Sequence, residues 1–205
     1  METRNHFKTG RHRKAKRVGL KKITKMKNIR KAFLATAIFA LTTTATFAQT
    51  KEQELSNAEK FSAKAGALIQ KEFIEIGSVK DAKISVIYFT DLITNTKQSA
   101  LKFEYESVGK YTTDTKSVVL DADEVDGLIK SIKIIQEKIF PSTATNYTEV
   151  SFKSRGGFDA GCFWSKGSWS TYLKLEKFDK DSYVFLGKDD FPTLLGLLEQ
   201  AKTKL

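Results

Sequence analysis

The sequence predicts an α+β fold: an antiparallel sheet of about six or seven strands with two amphipathic helices, read as a duplicated βββα unit. Three observations predict it. Short runs rich in β-branched and aromatic residues recur between polar, glycine-bearing turns. The apolar period lengthens from two to about 3.6 after Leu120, and again near Asp190. The apolar positions of the two helical stretches also correspond at a constant offset of 66 residues.

The elements follow in chain order. Residues 51–65 are polar and alanine-rich, with Leu55, Ala58 and Phe61 at helical spacing, and are expected to form a linker or a short docking helix. GALIQKEFIEIG (66–77) and AKISVIYFTDL (82–92) give two strands. TNTKQS supplies a polar turn before LKFEYESV (101–108), where Leu101, Phe103 and Tyr105 alternate with polar residues and leave one face wet.

A helix follows Leu120, with Val125, Leu128, Ile129, Ile132, Ile135 and Ile139 on one face. Asp121 and Glu124 have the spacing of a capping box, and Pro141 ends the helix. YTEVSFKS, a Gly-rich aromatic stretch, WSTYLKLEK and DSYVFLG then repeat the strand pattern, and a last helix runs from about Asp190 toward Leu205.

At the offset of 66, Phe191, Leu194, Leu195, Leu198 and Ala201 match Val125, Leu128, Ile129, Ile132 and Ile135. The same offset pairs Val119 and Leu120 with Phe185 and Leu186, and Ile84 and Val86 with Val150 and Phe152. The corresponding half-repeats would be 80–140 and 146–205, within a single α+β domain at 66–205.

Ahead of that domain, residues 26–48 have the order of a secretory signal peptide. Lys27, Arg30 and Lys31 precede an apolar stretch from Ala32 to Leu41, and small residues Thr46 and Ala48 occupy the positions a signal peptidase reads. The strongly apolar stretch is about half of the roughly 20 residues a membrane-spanning helix needs. Cleavage before Gln49 is therefore expected, leaving no stable membrane anchor and a protein exported to the periplasm or the medium. Residues 1–25, basic and without apolar periodicity, are expected to be a spurious extension from an upstream start codon; the competing reading is a basic arm for nucleic acid or acidic lipid.

This division changes the charge. The chain carries 35 basic and 24 acidic residues, but 13 of the basic ones and only Glu2 of the acidic ones lie in 1–48. Residues 49–205 keep 22 basic against 23 acidic, a formal net charge of −1. Nucleic acid is thus not an expected partner. Both histidines, His6 and His12, also lie ahead of Gln49, so imidazole-based triads and zinc sites are excluded from the exported part. With Cys162 alone there is no internal disulfide, and stability must come from the core.

The chemistry-bearing candidate is 154–172, SRGGFDAGCFWSKGSWSTY. Arg155, Trp164, Trp169 and Tyr172 are the expected ligand-binding residues, because glycines admit a ligand to the backbone and aromatic rings offer stacking faces. The competing reading is a long hairpin, turning at Gly167, whose aromatics cover the sheet. Cys162 has no histidine to activate it and is expected to be buried. Asp121, Asp123, Glu124 and Asp126 lack the glycine and terminal glutamate of a calcium loop, so no metal site is expected, and no cofactor. No catalytic residues stand out: there is no phosphate loop, nucleophile elbow or zinc-binding helix.

In layout, a signal ending in FAQ followed by a strand-rich domain that closes on an amphipathic helix resembles the small uncharacterised exported proteins of Gram-negative bacteria. At fold level, the paired strand-and-helix units resemble the PUR and Whirly nucleic-acid-binding families, whose function the charge of −1 opposes. The expectation is a non-enzymatic binding or envelope-associated module for a protein, small-molecule or glycan ligand. The alternative is a histidine-independent carboxylate hydrolase acting on polysaccharide.

Overall fold

The computed structural model describes residues 54–109 and 112–205. The extension at 1–25, the signal at 26–48 and the first residues of the 49–65 linker lie outside the described residues. Among the described residues the first element is a short helix, α1 (Asn57–Ser62), whose N-cap Ser56 exchanges hydrogen bonds with Glu59.

Four strands follow: β1 (Ile69–Val79), β2 (Ala82–Asp91), β3 (Lys97–Val108) and β4 (Thr113–Leu120). They form an antiparallel sheet in the order β1-β2-β3-β4. Helix α2 (Ala122–Ile134) continues through a π-helical turn, Ile135–Ile139, before Pro141. A second antiparallel sheet is built from β5 (Thr148–Lys153), β6 (Asp159–Ser165), β7 (Ser168–Lys174) and β8 (Tyr183–Leu186), in the order β5-β6-β7-β8. Helix α3 (Asp190–Lys202) closes the chain.

The α+β class and the antiparallel pairing match the sequence reading, but one sheet of six or seven strands does not: there are two sheets of four. The strand missing from the count is β4. Its first five residues, Thr113, Asp114, Thr115, Lys116 and Ser117, offer no apolar alternation, and Val118–Leu120 read as the lead into α2. The sheet ends at β4, and α2, about 20 Å long at about 1.5 Å per residue, separates it in the chain from β5.

The repeating order is therefore four strands and a helix, not three. Val118 and Val184, Leu120 and Leu186, Leu128 and Leu194, and Ile132 and Leu198 keep the offset of 66, and all eight are buried. Ile84 and Val86 do not correspond to Val150 and Phe152 in this way: the first pair lies on the second strand of its sheet, the other on the first strand.

One core joins both sheets to both long helices. Ile84, Val86, Leu101, Phe103, Val118 and Leu120 of the first sheet meet Leu128 and Ile132 of α2, Leu194 and Leu198 of α3, and Cys162, Leu173 and Val184 of the second. Phe103 stacks on Phe158 at 4.8 Å between ring centroids. Gly77 sits at a bulge in β1 with φ +154°, where a β-carbon would lie 2.8 Å from the Leu197 side chain of α3. Its lack of a side chain is what lets α3 lie close on that strand. On the outer face of the first sheet, Ala58 of α1 covers Ile87, Phe89, Ala100 and Val119 as a small second cluster.

Candidate ligand-binding face

Arg155 lies in the turn between β5 and β6 and points at the start of α2. Its guanidinium meets Asp123 through both terminal nitrogens, at 3.0 and 2.8 Å, and Asp121 at 2.7 Å. Its backbone N–H donates to Glu124 at 2.7 Å. Glu124 also accepts from the N–H of Asp121, which completes the return half of the predicted capping box. The Asp121 carboxylate reaches further, accepting from the N–H groups of Asn57 and Ala58 in the first turn of α1 at 2.8 and 3.0 Å.

Three of the four acidic residues considered for a metal are therefore gathered on a guanidinium, and Asp126 pairs with Lys202. Arg155 binds three carboxylates at the start of α2, one of which also caps α1; it is a clasp, with little left to offer a ligand.

The other three expected residues are divided by the pleat. A two-residue turn, Lys166–Gly167, with φ of 52° and 81°, joins β6 to β7 and places Trp164 opposite Trp169. Both rings lie on the core side of the hairpin, edge to face at 5.4 Å, and the buried Trp169 indole donates to the Ser142 carbonyl at 2.9 Å. Tyr172, three residues beyond Trp169, faces the other way. The structure brings the two tryptophans together and separates them from both Tyr172 and Arg155.

Tyr172 has other company. Side chains on the outer face of the second sheet form a row, Tyr147–Phe163–Tyr172–Tyr183–Phe185, in which successive ring centroids lie 6.3, 6.3, 5.5 and 5.8 Å apart. Tyr172 is the floor of the row, 7% exposed, while Tyr147 and Phe185 at its ends are 65% and 63% exposed. The Tyr172 hydroxyl donates to Asp159 at 3.2 Å, and burial followed by that neighbouring charge pushes its pKa well above the usual phenol value.

Gly161 sits beside Tyr172, where a β-carbon would fall 2.2 Å from the Val150 carbonyl oxygen. Ser151 and Ser170 keep neighbouring positions low. Cys162, on the core side, is buried, and burial pushes its thiol up to about 11, so it is no nucleophile at neutral pH.

The end of this face near the β5–β6 turn is charged. Lys153, Asp159, Lys174 and Tyr183 are register neighbours across the four strands. The first three border a cleft of about 450 Å³ that also takes in Lys177 and Phe178. Lys174 lies 4.9 Å from the centre of the Tyr183 ring and donates to the Lys177 carbonyl, while Lys153 pairs with Asp159 at 3.1 Å.

Sequence reasoning missed Tyr147, Phe163, Tyr183 and Phe185. Counting alternate residues outward from the Lys166–Gly167 turn separates Phe163 and Tyr172 from the two tryptophans, and that signal was present. The chain matches no protein-family model, no curated protein and no solved structure.

Proposed function

We propose that the protein is a non-enzymatic, exported binding module that holds a glycan against the outer face of its second sheet. The observation that carries this reading is the unbroken row of five aromatic rings, flush in the middle and exposed at both ends. Flat apolar rings match the C–H faces of sugar rings, and an exposed aromatic band of this extent is unusual on a surface with no partner.

The hydrolase alternative draws less support. A glycosidase needs one carboxyl whose pKa is raised, so that it stays protonated and can serve as a proton donor. Where the surroundings displace a carboxyl, at Asp91, Asp123 and Asp179, they hold it below the usual range, through hydrogen bonds from Thr94, Arg155 and Lys116 respectively.

The test is a glycan-binding assay on the wild-type chain and two variants. Phe185→Ala, at an exposed position, is expected to weaken binding about tenfold, within the 1–3 kcal/mol assigned to one stacked ring. Trp164→Ala, on the opposite side of the hairpin, is expected to leave binding within about twofold, less than 0.5 kcal/mol. Equal losses in the two variants would remove the face from consideration.

Export rests on the charge division and on the n-region and h-region order of 26–48. Protein isolated from cells is expected to begin at Gln49; an intact Met1 or Met26 would contradict this. We also read the two ββββα halves as copies of one unit, since Val118, Leu120, Leu128 and Ile132 keep the offset of 66 with matched burial, although Val119 is buried where its counterpart Phe185 is 63% exposed. A unit that began as a self-pairing half is expected to dimerise when expressed alone, whereas an unfolded half would speak against it.

A further inference from the structure

We infer that the glycan held on this face is anionic, a polymer of uronic-acid type whose carboxylates enter the lysine-lined cleft while its rings lie on the aromatic row. The inference rests on the binding reading above and adds the chemical class of the ligand. It is carried by the continuity of two surfaces. Lys174 belongs to both: its ammonium stands 4.9 Å from the Tyr183 ring centre, and it lines the cleft. A sugar ring seated on Tyr183 or Phe185 would thus have a cation beside its substituents.

The cleft has an excess of positive charge. Lys153, Arg155, Lys174 and Lys177 face Glu54 and Asp159. Arg155 is consumed by Asp121 and Asp123, and Lys153 by Asp159. Among the described residues, neither Lys174 nor Lys177 forms a contact ion pair with a carboxylate; Lys174 acts only at longer range on Asp179, which Lys116 already holds. Both are therefore the cations an external carboxylate would meet, and the exposed Phe178 lies beside Lys177 at 5.3 Å.

The positive charge is local, since residues 49–205 carry a net charge of −1. That argues against a long phosphate backbone tracked along a continuous basic groove, and for a ligand that meets the two lysines locally while its ring faces lie on the aromatic row. The opposite end of the row carries Glu149, hydrogen-bonded by Tyr147, so the face is also polarised along its length.

The test measures binding of the full chain to polygalacturonate, to a neutral glucan of similar length, and to single-stranded poly-dT, at low and high salt. Lys174→Gln/Lys177→Gln is compared with Lys130→Gln, an exposed lysine of α2, so that the basic residues of 1–48 contribute equally to both. Thermal melts confirm that each variant is folded.

The expected result is salt-sensitive binding of polygalacturonate over the neutral glucan. The double variant should lose about tenfold or more in affinity, as expected for a charge-assisted hydrogen bond. Lys130→Gln should be unchanged. If the double variant matches Lys130→Gln while Phe185→Ala still weakens glycan binding, the anionic class is overturned and the glycan reading stands. If Phe185→Ala is also without effect on every glycan, the binding reading itself fails. Tighter binding to poly-dT than to polygalacturonate, lost in the same variants, would make the ligand a nucleic acid and overturn the inference.

Discussion

At the scale of single residues, Arg155 and Gly161 show how the second sheet is held in place. Arg155 neutralises Asp121 and Glu124, each with a side chain only 6% exposed, in a place where an unpaired carboxylate would be costly. Removing one partner of a buried charge cluster strands the others, typically at about 3–5 kcal/mol. Arg155→Ala is therefore expected to lower unfolding free energy by about that amount in a urea titration, and a loss below about 1 kcal/mol would show the clasp to be ornamental.

Gly161 is a different kind of constraint. Its missing β-carbon would overlap the Val150 carbonyl, and backbone cannot swing aside as a side-chain end does. Gly161→Ala should cost about 1–3 kcal/mol and broaden the thermal transition, the usual result of overpacking. A wild-type melting temperature would mean that β5 relaxes freely.

At the scale of elements, the two long helices were the most legible parts of the chain. Val125, Leu128, Ile129 and Ile132 are buried where the 3.6-residue period places them, as are Phe191, Leu194 and Leu198. The period reports burial directly when one face of a helix meets one core. Strands were harder for two reasons. β4 hides its pairing in a polar first half, because its edge position leaves Asp114 and Lys116 to pair with each other. The β6–β7 hairpin was recognised, with its turn at Gly167, yet Trp164 and Trp169 were grouped with Tyr172 because they lie close in sequence.

Pairing assigns them to opposite faces, and the true aromatic row collects one ring or two from each of four separated segments. Tyr147, Phe163, Tyr172 and Tyr183 span residues 147 to 183, a spacing that no local window combines. Arg155 was misplaced for another reason. Its partners Asp121, Asp123 and Glu124 lie more than 30 positions away, and only the fold reveals that its charge is already satisfied.

At the scale of the whole molecule, ion pairs link parts that the hydrophobic core joins from within. Lys116 of β4 pairs with Asp114 and reaches Asp179, in the loop between β7 and β8, at 2.6 Å; this is a strap from one sheet to the other. The Arg155 clasp ties the second sheet to α1 and α2. Both depend on ionised carboxylates. Asp179 and Asp123 are held below their ordinary value of 3.8, chiefly by hydrogen bonds from Lys116 and Arg155.

A carboxyl depressed in the folded state stabilises the fold above its unfolded value and loses that contribution as pH falls through the folded one. The melting temperature is thus expected to hold down to about pH 4 and to fall below it. The fall should be shallower in Asp123→Asn and Asp179→Asn, which start from a lower plateau. An acid branch identical in all three proteins would mean that these pairs add nothing to cohesion.

The central claim is that the outer face of the second sheet, and not the tryptophan side of its hairpin, is where a ligand binds. Amide chemical-shift mapping during titration with polygalacturonate tests it most directly. The account predicts perturbations that cluster at Phe163, Ser170, Tyr172, Lys174, Tyr183 and Phe185 and saturate together. Perturbations centred instead on Trp164 and Trp169, or on the first sheet, would contradict it.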